Sequence, residues 1–412
     1  MRDIAFEIEL KTPFKKSVLA LGGELKNTVC CAEGKTAFIS NPLSDLENAN
    51  DYEKFLFLIK NLPLKLGISP EIIAYDLHPD FISTKTAKNY DLWPNAVRIG
   101  VQHHEAHIAS CAAAENISKN FIGLAFDGTG YGTDGTMWGG EIFTGSLAKG
   151  FERVARLMPI ELPGGMAAIR EPWRLALSLA NAVGIEIEKP VSVPKEKWLI
   201  VKQMLQNKNL QKIEASSFGR LFDGVAALID LCHFAENEAE AAILLEKTAG
   251  NIFPERYYHL PAKKNINGLF EMDWQPMVKQ ILNDYRKGVP KEEIAAAFHD
   301  SIARGVFELC IQLITDEKII VASGGVFFNK RLTSNLKSLF ENAGFKFVLP
   351  EKLPPSDAGL SLGQAVIAKD ELCNETIPPV ADFQPSFGGS STLLWRTFSM
   401  RIIARSLMIN NQ

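Results

Sequence analysis

The chain has 412 residues, 46% hydrophobic and 22% charged, with 44 basic and 48 acidic side chains and a formal net charge of -4. That composition excludes disordered, collagenous and membrane-spanning classes, and a pI of about 6.1 gives no electrostatic footprint for nucleic acid, which is not expected as a partner. Six cysteines without a C-x-x-C pair are too few for a disulfide scaffold and fit a reducing cytoplasm. The N-terminus MRDIAFEIELKTPFKK lacks the pattern of a signal peptide, and no apolar run approaches the roughly 18 residues that cross a bilayer.

In chain order, residues 18 to 39 (VLALGGELKNTVCCAEGKTAFI) read as a β-meander, with AEGK turning between the second pair of strands. DYEKFLFLIKNLPLKLG reads as a helix and EIIAYDLH as a strand. AVRIGVQHHEAHIASCAAAEN reads as a strand over 97–101 that passes into a helix from His103. At 121–147, FIGLAFDGTGYGTDGTMWGGEIFTGSL repeats the opening pattern of strand, glycine-rich turn and strand. A unit begun twice predicts a duplicated α/β fold with a cleft between two lobes. We place a lead at 1–17, lobe I at 18–117, lobe II with a mostly helical insertion at 118–372, and a tail at 373–412.

Within lobe II, GGMAAIREPWRLALSLANAVG and AENEAEAAILLEKTAGNIF are built of good helix formers. PKEEIAAAFHDSIARGVFELCIQLITD is a long helix leading to the strand KIIVAS and the turn GGVFFN. FKFVLP is a further strand, and PPSDAGLSLGQAVIA a loop entering a helix. The tail holds no Asp or Glu from Gln384 onward and follows Pro378 and Pro379; no role is assigned to it.

His103 and His107 in HHEAH stand four apart, so on a helix their rings share a face with Cβ atoms roughly 5 to 6 Å apart, a spacing that suits two ligands of one metal or two packed histidines. His104 points elsewhere. Asp127 in LAFDGTG and Asp357 in PPSDAG are either oxygen ligands or turn-forming residues. The glycine turns at Gly22–Gly23, Gly128–Gly132, Gly164–Gly165 and Gly324–Gly325 allow close backbone approach to a phosphate, the last most of all because a buried-type strand feeds it. None matches a P-loop or a Rossmann fingerprint. Arg170 and Arg174 form either a phosphate fork or a solvated helix face with an arginine stacked on Trp173. Glu236, Glu238 and Glu240 read as an acidic site or as a charged helix surface. Cys111 reads as a small packed residue, or as a nucleophile if exposed in an electropositive setting.

Taken in order, LGGELKNT, DLHPD, VQHHEAHIAS, LAFDGTGYGTDGTMWGGE, LPGG, REPWR, FGRLFDGVAAL, ASGGVFFN and PPSDAGLSLGQA resemble the C-terminal, TsaD-like region of HypF, the carbamoyltransferase family of nickel-iron hydrogenase maturation. The resemblance runs from about 18 to 370 and is similar in kind to the transferase of tRNA threonylcarbamoyladenosine synthesis and to antibiotic O-carbamoyltransferases. It implies the duplicated α/β fold of actin, Hsp70 and sugar kinases. It also implies one divalent metal, iron or zinc, held by His103, His107, Asp127 and Asp357.

By the same resemblance Gly324, Gly325 and Asn329 would hold the adenosine of carbamoyl-adenylate, ATP or AMP, with Gly22 and Gly130 facing phosphate and the segments of Asp223 and Glu238 flanking the nucleotide. Lys26, Arg170 and Arg174 are candidates for phosphate or carbamoyl contact; no residue is assigned a catalytic role. The implied activity moves a carbamoyl group to the C-terminal cysteine of a HypE-like partner. Because 412 residues leave no room for the family's upstream domains, either a YrdC-type adenylating domain is expected in trans or the chain is a fragment. The family's usual GGD is Gly164, Gly165, Met166 here, and its usual EGQAA is Glu238 to Ala242. Those departures leave a second reading, another acceptor such as a small molecule or tRNA, and the missing upstream domains leave a third, a non-catalytic nucleotide-binding scaffold.

Overall fold

The computed structural model describes residues 3–89, 93–313 and 318–371, so the tail at 373–412 lies outside the described residues. The first lobe runs β1 (Ile4–Ala20), β2 (Cys30–Ser40), α1 (Ala49–Leu66), β3 (Ile72–Asp76), α2 (Ile82–Asn89), β4 (Val97–Val101) and α3 (His103–Ala114). Its sheet has the order β2-β1-β3-β4, antiparallel within the β1/β2 hairpin and parallel from β1 through β4.

Two expectations change here. The stretch read as a lead is strand from Ile4 onward, with Ile8 and Leu10 buried. The meander is a single hairpin, because AEGK lies inside β2. Gly34, at φ +56 and opposite Phe14, takes up a register shift there. A left-handed glycine fits a bulge as readily as a turn, and only the partner strand distinguishes them.

The chain continues as β5 (Phe121–Tyr131), β6 (Met137–Ser146), β7 (Gly150–Leu157), β8 (Ile160–Glu161), α4 (Ala167–Arg170), α5 (Trp173–Ala182), α6 (Lys195–Gln206), β9 (Glu214–Ser217), α7 (Phe218–Leu228) and α8 (Glu240–Ala249). It ends with β10 (Ala262–Lys264), β11 (Phe270–Met272), α9 (Gln275–Arg286), α10 (Lys291–Gln312), β12 (Ile319–Ser323), α11 (Lys330–Asn342), β13 (Lys346–Val348) and α12 (Leu360–Glu371). The IREPWR stretch breaks between α4 and α5, because Glu171, the residue before Pro172, is held out of helical geometry at φ -122, ψ 70.

The second sheet runs β10-β11-β7-β6-β5-β12-β13. Its central part β6-β5-β12-β13 repeats the first lobe's pattern, an antiparallel hairpin followed by two parallel strands. The doubled opening seen in the sequence is thus a doubled topology.

The last helix does not stay with the second lobe. Leu360, Leu362, Ala365 and Val366 of α12 join Ile8, Val18, Ala20, Ile72 and Ala74 in the first lobe's core. Helix α3 is buried nearly all round between the two sheets. Ala106, Ala113 and Ala114 pack into the first lobe, and Ile108, Cys111 and Ala112 pack against Phe121, Ala125 and Val321 of the second. A helix buried on every side has no polar face to spare, and its neighbours must come close. An added Cβ on Gly123 of β5 would lie 2.8 Å from Ile108 Cδ1, and one on Gly363 of α12 would lie 1.9 Å from the Ala106 carbonyl oxygen. Cys111 is fully buried, with its thiol pushed up by burial, and so packs rather than reacts.

Because backbone cannot yield as a side chain tip does, Gly363→Ala should destabilise the fold by about 1–3 kcal/mol, the usual range for overpacking. Urea denaturation would register this as a lower midpoint at unchanged slope.

Candidate metal centre between the lobes

Each element around the cleft delivers one or two polar groups to a common point. Gln102 caps α3 through its side-chain oxygen, which accepts from the Glu105 N–H at 2.9 Å. The helix therefore starts directly at the end of β4, and His103 and His107 lie one turn apart. Asp127 ends the buried part of β5, and Asp357 opens the short turn before α12. His103 Nε2 lies 3.5 Å from Asp127 and 4.0 Å from Asp357, and His107 Nε2 lies 3.7 and 3.5 Å from the same two carboxylates. All four donor atoms fall within 4.8 Å of one another.

These separations are too long for hydrogen bonds. They approach the roughly 3.4 Å edge of a tetrahedron of ligands about 2.1 Å from one ion. Both imidazole Nε2 atoms are buried without a hydrogen-bond partner. Two neutral imidazoles and two carboxylates match a divalent charge, and a mixed N/O set suits iron or zinc. The residues present therefore fit a metal.

Asp76 is the group that sequence reading missed. It is fully buried at the end of β3 and sits 2.7 Å from His103 Nδ1. This bond turns Nε2 toward the cluster, the usual outer partner of a metal-bound histidine. The DLHPD motif contained it, but nothing in its spacing tied it to HHEAH.

Burial opposes charge on His103, yet Asp76, Asp127 and Asp357 together hold its pKa well above the ordinary histidine value. His107 is raised in the same way, against burial, by Asp127 and Asp357. Burial would raise the Asp127 carboxyl, but the two imidazoles keep it well below the usual range.

The glycines have demonstrable structural reasons. Gly130 is required because a Cβ there would lie 2.5 Å from the His104 ring and 2.7 Å from His103. The Gly22 N–H donates to Gln364 Oε1 at 2.8 Å, Gly324 N–H to the Pro355 carbonyl at 2.8 Å, and Gly325 N–H to Asp127 Oδ1 at 3.1 Å. The SGGV turn thus holds Asp127, a candidate ligand, and its two glycine N–H groups are already used within the protein. Asn329 caps α11, accepting from Leu332 N–H at 2.9 Å, and its amide donates to His299 Nε2 at 3.0 Å. His299 is kept neutral, pushed down to about 4 chiefly by burial.

Asp223 is paired with Arg220 at 2.9 Å, both buried. Lys26 and Glu238 pair with each other across the lobes at 2.8 Å. Arg174 does not present a free fork. It donates to Glu171 at 2.6 Å and to the Pro163 carbonyl at 3.3 Å, and its guanidinium lies 5.0 Å from the Trp173 ring centre, the stacked alternative of the sequence reading. Arg170 ends α4, and its backbone carbonyl accepts from Ala235 N–H. Glu240 bends back to accept from the N–H groups of Glu236 and Asn237. Ala239 is left-handed at φ +55.

The fold and the site together define a two-lobed α/β protein of repeated topology, with a His2Asp2 constellation between the lobes. Family models described as "HypF Kae1-like domain" and "Carbamoyltransferase, Kae1-like Domain, second subdomain" match residues 13–114 and 123–364. A carbamoyltransferase HypF of Synechocystis is 35% identical over 388 residues, covering 89% of this chain and 49% of its own. A HypF homolog of Cupriavidus necator is 30% identical over 364 residues, covering 85% of this chain and 91% of its own. A crystal structure of full-length HypF in a phosphate- and nucleotide-bound form superposes with a TM-score of 0.80 at 37% identity, covering 89% of this chain and 57% of that one. HypF of T. kodakarensis also gives 0.80, at 28% identity, covering 89% and 49% respectively. The chain belongs to the HypF carbamoyltransferase family, and it spans about half the length of most of the curated relatives it matches. No helix among the described residues is long and apolar enough to cross a membrane.

Because His103 and His107 favour the protonated form until a cation displaces the proton, divalent binding should release protons at neutral pH and weaken as pH falls. Calorimetry in buffers of different ionisation enthalpy reads both effects. Asp76→Asn should weaken metal binding about 10- to 100-fold while leaving all four ligands in place, measured by competition with a chromogenic chelator.

Proposed function

We propose that this chain transfers a carbamoyl group from carbamoyl-adenylate to the C-terminal cysteine thiolate of a HypE-like partner in nickel-iron hydrogenase maturation, with a YrdC-type domain supplying the adenylate in trans. The observation that carries this reading is the His2Asp2 set, three of its members buried and Asp357 partly exposed, with two orphaned imidazole nitrogens between the lobes of a HypF-family fold. A solved full-length HypF in a phosphate- and nucleotide-bound form supports a nucleotide ligand. His103, His107, Asp127 and Asp357 would hold the metal, iron or zinc, which supplies Lewis acidity toward a carbamoyl or phosphate oxygen.

The chain's own contribution is orientation and exclusion of water, since AMP leaves readily. The thiolate sulfur bonds to the carbamoyl carbon and the carbon–oxygen bond to phosphate breaks. AMP departs with the electron pair, and the thiol's proton passes to solvent. The departures from the family pattern supply no rival acceptor chemistry. The carboxylate of Glu240 is spent on its own loop, and Met166 is an exposed apolar side chain.

The test combines the purified chain with ATP, carbamoyl phosphate, a YrdC-type domain and a HypE-type acceptor. The expected product is an adduct of about 43 Da on the acceptor's terminal cysteine, as for acyl transfer to a thiolate. Joint His103→Ala and His107→Ala substitution should abolish both metal content and adduct. Transfer at the unsubstituted rate would exclude the proposal. Metal and nucleotide binding without adduct would favour the scaffold reading, and an adduct on a small molecule or tRNA a different acceptor.

A further inference from the structure

Arg220 is the third residue of α7 and only 6% exposed. Its Nη2 meets Asp223 Oδ2 at 2.9 Å, whereas its Nε and Nη1 are buried with no hydrogen-bond partner. A guanidinium keeps its charge at all relevant pH and carries five donors, so one carboxylate contact leaves most of that capacity unmet. Buried donors without acceptors are costly, and a native structure that keeps them generally has a use for them.

The surroundings indicate what that use is. The N-terminal turn of α7 lies directly on the backbone of Asp127 and Gly128. Ser217 Oγ donates to the Asp127 carbonyl at 2.9 Å, and a Cβ on Gly219 would lie 2.9 Å from Gly128 Cα. Gly128 is half-buried and immediately follows a metal-site aspartate. A Cβ added to it would meet just one heavy atom within 4 Å, Arg220 Nη2 at 3.7 Å. Apart from Asp127 and Thr129, which flank it in the chain, the space before Gly128 is thus bordered by the guanidinium at Nη2. The first turn of α7 holds no acidic residue, so its positive pole adds to the same field.

We infer that Arg220 is an anion-positioning residue, holding a phosphate oxyanion of the bound ligand beside Asp127 and Gly128 through the guanidinium edge at Nη2, which carries a second N–H besides the one directed at Asp223. This rests on the nucleotide reading above. It assigns the phosphate contact to a residue other than Lys26, Arg170 and Arg174. A planar fork is the group suited to a phosphate at such a position, and lysine reproduces its charge but not its geometry.

The test is calorimetric titration of the purified chain, in the presence of Zn2+, with AMP, adenosine and inorganic phosphate in separate arms. Unsubstituted protein should prefer AMP to adenosine by about tenfold or more, in keeping with charge-assisted hydrogen bonds. Arg220→Met should reduce that preference to within about twofold while leaving adenosine affinity nearly unchanged, and Arg220→Lys should fall between. Phosphate binding that depends on Arg220, without a preference for AMP, would assign the site to free phosphate rather than to a nucleotide.

A Met variant that retains the AMP preference, or that loses AMP and adenosine in equal proportion, overturns the inference. Should the Met variant fail to fold by circular dichroism, the Lys variant decides, and an unchanged preference there overturns it. Equal AMP and adenosine affinities in the unsubstituted protein, with no phosphate binding, sink this inference and leave the nucleotide reading standing. Binding of none of the three sinks both.

Discussion

Two imidazole nitrogens buried without partners, facing two carboxylates, are the constraint around which this molecule is arranged. Each unsatisfied buried polar atom costs on the order of 1–3 kcal/mol, and Nε2 of His103 and of His107 both stand in that condition. Relaxing the strain would be simple if the rings could turn. His103 cannot, because Asp76 holds its other nitrogen from the end of β3. The fold thus keeps an unfavourable local arrangement that a divalent cation would relieve, and bound metal would link its affinity to folding stability.

The architecture that maintains this arrangement depends on small residues more than on polar ones. Helix α3 carries both histidines and is clamped between two sheets and α12, so its position is defined by how near its neighbours come. Gly123 and Gly363 permit contacts that any side chain would block, and Gly130 does the same for the histidine rings. Because α12 follows Asp357 and packs into the first lobe, that aspartate is anchored to the lobe carrying α3, while Asp127 belongs to the other. Relative movement of the lobes would therefore separate the ligands into two sets. The Lys26 and Glu238 ion pair spans the same division at an exposed position, where such a pair contributes little to stability.

Around the metal ligands, several groups that look available for a nucleotide are already bound within the protein. The N–H groups of Gly22, Gly324 and Gly325 have acceptors, Asn329 is a helix cap, and Arg174 is committed to Glu171. Nε and Nη1 of Arg220, by contrast, have no partner. The departures from the family pattern fit the same picture. Glu240 restrains its own loop, and Ala239 tolerates a left-handed conformation that costs a non-glycine residue roughly 1–2 kcal/mol.

Much of this was legible beforehand. The repeated strand-turn-strand opening announced duplication, since a hairpin leaves a local signature of alternation and glycine. The spacing of His103 and His107 placed their rings on one helical face, because 3.6 residues per turn dictates it. Motif order brought Asp127 and Asp357 to the same site by resemblance. Other features depended on partners distant in the chain. Whether AEGK was a turn or a bulge, whether 4–17 was strand, and which lobe received α12 were decided by register and packing that no local window contains. Asp76 and Arg220 belong to this second group. A carboxylate in DLHPD and an arginine in FGRLFDG have no distinguishing spacing, and it is burial that converts one into the anchor of His103 and leaves the other with unpaired donors. The sequence determined the inventory of ligands and the doubling of the fold, because both are periodic or local. The tertiary structure decided which polar groups are satisfied, because that depends on what is buried beside them.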